Sequence, residues 1–161
     1  MTPPTYAKGT TVSAASSRAE IENTIARFKA DGFAFGTQGN RATVQFLAQG
    51  RQIRFDLTLP DSNSPQFTQY RRSPHSTPTR RTPDAAAKMY EQAIRELWRA
   101  LALAVKAKLA AVEAGIASFE DEFLAYVVMP DGRTVGETIR PEVARAYELG
   151  TAPLQLLPGP S

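Results

Sequence analysis

Four arginines in two adjacent pairs, Arg71-Arg72 and Arg80-Arg81, stand in the stretch QYRRSPHSTPTRRTP, Gln69 to Pro83. A guanidinium presents a planar fork of N–H donors that matches two oxygens of a phosphate or carboxylate at once. Tyr70, next to the first pair, offers an aromatic face on which a base can stack. Fully extended, the residues between the pairs span at most about 30 Å. Four such charges suit several phosphates of one nucleic-acid backbone, and four contacts predict a salt slope of about −3 to −4. A protein partner with an acidic surface would satisfy the same chemistry.

The rest of the chain offers little that catalyses. There is no cysteine, and His75, inside the arginine stretch, is the only histidine. A zinc site of ordinary ligand type would have to combine that one imidazole with carboxylates alone. Glu120, Asp121 and Glu122, with Asp131, make the densest acidic group and the one place for a magnesium-dependent nuclease site. Adjacent residues on a helix diverge by about 100°, and acids in a first turn complement the helix dipole. They read as helix-start residues. Neither a Walker A loop nor a G-x-S-x-G elbow occurs, and Pro60-Asp61 lacks the acid-x-Lys that would complete a nuclease pattern. The expectation is a non-enzymatic protein with no metal and no cofactor.

Charge supports a binding role. The formal net charge is +3, and its distribution is uneven. Residues 1–60 and 61–83 each carry a net +3, whereas residues 84–129 carry −2 and residues 130–161 carry −1. Such asymmetry favours an acidic partner, DNA or RNA first. No apolar run approaches the roughly 18 to 20 residues needed to span a bilayer, and the N-terminus has no apolar signal segment. The chain is expected to be cytoplasmic, with no membrane partner.

The elements that must position the arginines follow from periodicity. Residues 1–16 read as a flexible leader, 17–150 as a single domain, and 151–161 as a flexible tail. Ser17 and Glu20 have the spacing of a capping box, and Ile21, Ile25 and Phe28 recur at one-turn intervals, predicting a helix over about 18–31 that stops at Gly32. In FAFG, RATVQFLAQ and RQIRFDLTLP the apolar residues alternate, which predicts strands. Ala42, Val44, Phe46 and Ala48 share one face with Ile53, Phe55, Leu57 and Leu59, and Arg41, Gln45 and Arg54 share the other. That outer face extends the candidate basic surface through Arg41 and Arg54. Gly36 to Gly39, GTQG, has the spacing of a KH-domain phosphate clamp but joins two strands, so it reads as a hairpin turn.

Five of the chain's twelve prolines fall between Pro60 and Pro83. Proline fixes φ, removes a donor and disfavours helix in its predecessor, so residues 61–83 are expected to form a long exposed Arg/Pro-rich loop without helix or central strand. Thr82-Pro83-Asp84 opens a second helix that runs to Gly115 with no internal Gly or Pro. Its apolar stripe, Ile94, Trp98, Leu101, Val105, Leu109 and Val112, should cover the sheet. Ser118 caps a short helix, Pro130-Asp131-Gly132 turns a small hairpin, and Pro141 opens a last short helix that ends at Gly150. The fold class is therefore α+β: a helix, a three-stranded antiparallel meander packed on a long helix, then a small C-terminal hairpin and short helix.

That order of elements resembles double-stranded-RNA-binding domains and, more loosely, phage single-strand annealing proteins. The lysine cluster that the first of these would place at the start of the second helix is represented by Lys88 alone. The phrases GRQIRFDLTLP and LWRALALAVKAKLAAVEAGIASFEDEFLAYVVMPDGRTV, with the arginine stretch between them, resemble a family of small uncharacterised proteins encoded by phages and prophages, over about residues 17–150. The resemblance implies a phage context and assigns no residue a role. Together these readings give a phage nucleic-acid-binding protein contacting phosphate through Tyr70, Arg71, Arg72, Arg80, Arg81, Arg41 and Arg54. The alternative is a protein-interaction module, a phage assembly or host-interference factor, whose loop orders on a host or phage protein.

Overall fold

Three strands form an antiparallel sheet in the order β1-β2-β3, with β1 at Gly32–Gln38, β2 at Arg41–Ala48 and β3 at Arg51–Thr58. The structure is a computed structural model and describes residues 6–150; the expected tail, 151–161, lies outside them. Two-residue turns fix the register. Gln49 and Gly50 both have positive φ, the backbone of a type I′ turn, which pairs Ala48 with Arg51. The first turn lies at Gly39-Asn40, so Gly36, Thr37 and Gln38 of GTQG belong to β1 rather than to the turn. The expected faces hold: Ala42, Val44, Phe46, Ala48, Ile53 and Phe55 are all buried.

Two helices cover that apolar face. The long helix α3, Pro83–Glu113, starts as expected, with the Thr82 hydroxyl accepting from the Ala85 N–H, and buries Trp98, Leu101, Ala102, Val105 and Leu109. Helix α1, Ala14–Arg27, begins four residues before the expected start. Ser13 is the cap: its hydroxyl accepts from Ser16 N at 3.0 Å. The expected capping pair has other work. Ser17 is fully buried on the stripe with Ile21, Thr24 and Ile25, and Glu20 pairs with Arg99 and, at 3.8 Å, Lys106 of α3. Chain reversal falls to Lys29, at φ 57°, not Gly32. Part of the expected leader is also held, since Ala7 is buried and the Gly9 N–H donates to Glu96 Oε1 at 2.8 Å.

The C-terminal part closes the far side of the core. Ser118 caps α4, Phe119–Phe123, as expected, and a 3-10 turn, Leu124–Tyr126, follows. The hairpin around Pro130-Asp131-Gly132 forms, with Val128 bridging Thr134. Helix α5, Val135–Leu149, starts six residues before Pro141, because Thr134 and Glu137 form a true capping box. Pro141 therefore sits inside the helix, where it cannot donate to the Glu137 carbonyl. Arg133 takes that place, its Nη2 donating to Glu137 O at 2.9 Å. Gly136 permits the close docking of α5: a Cβ there would lie 2.8 Å from the Ala125 carbonyl oxygen.

Candidate nucleic-acid interface

The arginine stretch is built, not loose. Pro65 occupies the first turn of a four-residue helix, α2, Pro65–Thr68, and Phe67 is buried with its ring perpendicular to Tyr90 of α3 at 5.5 Å. Gln69–Tyr70, β4, then pairs antiparallel with Thr79–Arg80, β5. The Arg81 N–H donates to Thr68 O at 2.7 Å and lengthens the ladder. The expected absence of helix over 61–83 is thus corrected, while the strands that form are a separate two-residue pair and not central strands. Each proline occupies a position that tolerates it: Pro65 and Pro83 open helices, and Pro74 and Pro78 lie in the hairpin loop, outside the paired residues.

This geometry changes what the arginines can do. A hairpin folds the two pairs back on one another: Arg71-Arg72 leave β4 while Arg80-Arg81 run through and past β5. Four charges stand along one short arm instead of being strung over an extended span. Arg71 Nη1 donates to Ser76 O at 2.5 Å and Arg81 Nε to Gln69 O at 3.2 Å, which fixes two of the four side chains. Arg81 also lies over the Tyr70 ring, 5.3 Å from its centroid, so one face of that platform is already covered. Among the described residues, none of the four arginines lies within ion-pair distance of a carboxylate, whereas Arg51, Arg54, Arg95, Arg99 and Arg145 do.

Between the arm and α3 runs an open groove of about 1030 Å³ lined by Arg80, Arg81 and Lys88 together with Asn63, Thr68 and Tyr90. Asp84 and Glu91 also line it. Lys88 joins the arm's positive face through the fold alone. Helical spacing from the Thr82 cap could have placed it on α3, but nothing in the sequence says that the arm returns to lie against it.

Among the described residues no hydrogen bond or ion pair joins Arg54 or Arg41 to the arm. Arg54 is a clamp between the sheet and the C-terminal part: it pairs with Asp56 at 2.9 Å and Glu137 at 2.8 Å, and donates to Gly132 O at 2.7 Å. Only 18 % of its side chain is exposed. Its guanidinium is thereby already engaged within the fold. Arg41 is exposed at the opposite end of β2 from Ala48, beside a cavity of about 300 Å³ shared with Arg54, Asp56, Glu137 and Arg140, and no hydrogen bond or ion pair links it to the arm. The outer sheet face instead bonds to itself, Thr43 to Asp56 and Gln52 to Gln45.

The acidic group is dispersed. Glu120 pairs with Arg51, Asp121 with the Ser118 hydroxyl, and Glu122 with Lys108, while Asp131 accepts from the Arg133 N–H. Among the described residues no three His, Cys, Asp or Glu side chains are grouped to hold a metal ion. His75 is exposed in the hairpin loop.

One carboxyl is shifted. The Thr134 backbone N–H, at 2.7 Å, is the main reason that Glu137 titrates below its ordinary value of about 4.5; burial opposes this, and Arg54 and Arg133 reinforce it. A depressed folded-state value adds stability that is present above the unfolded value and lost as pH falls through the folded one. Glu137→Gln is therefore expected to be less stable than the parent at neutral pH, with the gap narrowing below about pH 4.5. Thermal unfolding followed by circular dichroism from neutral to acid pH measures it; a pH-independent gap contradicts the assignment.

Comparison with protein-family models, with curated proteins and with solved structures gives no match to this chain.

Proposed function

We propose that the protein binds nucleic acid without catalysing a reaction on it, gripping the phosphate backbone with the four arginines of the arm. The observation that carries this reading is that Arg71, Arg72, Arg80 and Arg81 stand on one docked hairpin with no carboxylate within ion-pair distance among the described residues. Among the described residues five of the ten arginines outside the arm pair with a carboxylate, whereas none of the four grouped on the arm does. Guanidinium groups with no carboxylate partner meet an anion without first breaking an ion pair. The resemblance to phage- and prophage-encoded proteins extends the proposal to phage DNA or RNA metabolism in the host cytoplasm.

Binding of single- and double-stranded DNA and RNA by gel shift, at two salt concentrations, tests it. Four phosphate contacts give a slope near −3.6 on duplex DNA, which lowers affinity about 150-fold between 50 and 200 mM salt. Absent or salt-insensitive binding refutes the proposal. A second reading, a protein-interaction module of the assembly or host-interference kind, is favoured by α5, which leaves Ile139, Val143 and Tyr147 exposed at four-residue intervals. That reading expects indifference to nucleic acid and loss of partner capture when those three residues are made polar.

A further inference from the structure

We infer that β1 is the docking strand of a two-fold dimer, in which two copies pair β1 with β1 antiparallel and join their sheets into one of six strands. The two edges of the sheet are treated differently by the fold. The β3 edge is partly covered: Val127 bridges Ile53, and the Val128 N–H donates to Gln52 O at 2.8 Å. The β1 edge has no strand partner among the described residues.

Edge strands are normally blunted by charge, proline or a bulge. Gly32–Gln38, GFAFGTQ, has no charged residue and no proline, and it pairs with β2 residue for residue over its seven positions. The two-residue turn at Gly39-Asn40 makes Gln38 and Arg41 a hydrogen-bonded pair, so in the antiparallel alternation the N–H and C=O groups of Phe33, Phe35 and Thr37 point away from β2. Gly32, Ala34 and Gly36 alternate with them and keep the outer face of the strand low.

The occupant is a second copy because the strand complements itself. Pairing centred on Phe35 sets Phe35 against Phe35 and Phe33 against Thr37, so every outward N–H and C=O of those residues on both copies finds a partner. Phe35 is 51 % exposed although it faces the helix layer, where it meets Trp98 edge-on and lies under Arg18. A second Phe35 covers the remaining face, an aromatic cross-strand pair. No like charges meet within the strand. The charges that flank it, Asp31 before and Arg41 after the turn, are opposite in sign, and the two-fold brings each to the other's end. A two-fold contact closes on itself and does not propagate into fibres.

Sedimentation equilibrium of the full chain, with amide hydrogen exchange at low and high protein concentration, tests the inference without nucleic acid. The expected result is a mass that rises toward twice that of the monomer as concentration is raised through the micromolar range, with exchange slowed at the amides of Phe33, Phe35 and Thr37. Thr37→Pro removes one outward donor and no internal one, and should stay monomeric with the parent's circular dichroism. If it fails to fold, Thr37→Lys puts a charge at the same exposed edge position and should weaken the dimer at least tenfold. A parent that stays monomeric overturns the inference. So does a dimer whose edge amides exchange unchanged, or one that both Thr37 variants form as well as the parent.

Discussion

Phe123→Ala is expected to destabilise the domain by about 3–5 kcal/mol. The ring is fully buried. It stacks on Phe119 at 4.6 Å and meets Phe46 and Phe55 edge-on at 6.0 and 6.4 Å, and so ties α4 to β2 and β3 at once. Three aromatic rings then line the space, and bulky planar groups held by α4, β2 and β3 do not collapse into it, so the cavity stays open. With total stability on the order of 5–15 kcal/mol, the loss of about 3–5 kcal/mol removes roughly a fifth of it or more. Each kcal/mol shifts Tm by about 2–4 °C in a domain of this size, so a fall of roughly 6–20 °C is expected. Leu124→Ala, one residue later and 48 % exposed, should stay within about 0.5 kcal/mol. Urea unfolding with an unchanged slope distinguishes a loss of packing from a changed unfolded state. Equal effects at 123 and 124 would mean that the core is not organised around this ring.

The parts of the fold that were readable in the sequence are those in which one local signal acts without competition. The alternation in β2 and β3 gives both faces because a period of two has only one alternative register, and the Gln49-Gly50 turn excludes it. The start of α3 is legible because Thr82 and Pro83 both act at the same boundary. Where two signals compete, the nearest motif is a poor guide. Ser17 and Glu20 match a capping box, but Ser13 lies one turn earlier, and packing against α3 claims Ser17 as a small buried contact. Thr134 and Glu137 are a capping box in fact, and Pro141, the stronger visual signal, is tolerated because Arg133 supplies the missing donor. The candidate site is legible only in composition. Four arginines are visible in the chain, whereas the pairing of Gln69 with Arg80, the seat of Phe67 on Tyr90 and the engagement of Arg54 by Glu137 are long-range facts without a local signature.

Replacing Arg71, Arg72, Arg80 and Arg81 together by alanine is expected to lower affinity for nucleic acid at least a hundredfold in low salt and to flatten the salt slope from about −3.6 toward zero. Either pair alone should remove about half of the slope, since each guanidinium displaces its own counterion. Arg54→Ala separates the arm from the sheet face: it breaks two ion pairs and a bond to Gly132 O, so it should reduce stability and leave the salt slope unchanged. The sharper test removes no charge at all. Phe67→Ala takes away the buried ring that seats α2 on Tyr90, and with it the anchor that holds the arm's base on α3. An arm that acts as a rigid fork then has to be ordered on binding, and affinity should fall several-fold while the number of released counterions, and hence the slope, is preserved. A loop that acts only as a flexible string of charges would bind equally well with or without Phe67. Titrating the Phe67 variant at two salt concentrations therefore tests the docked hairpin separately from the arginines it carries.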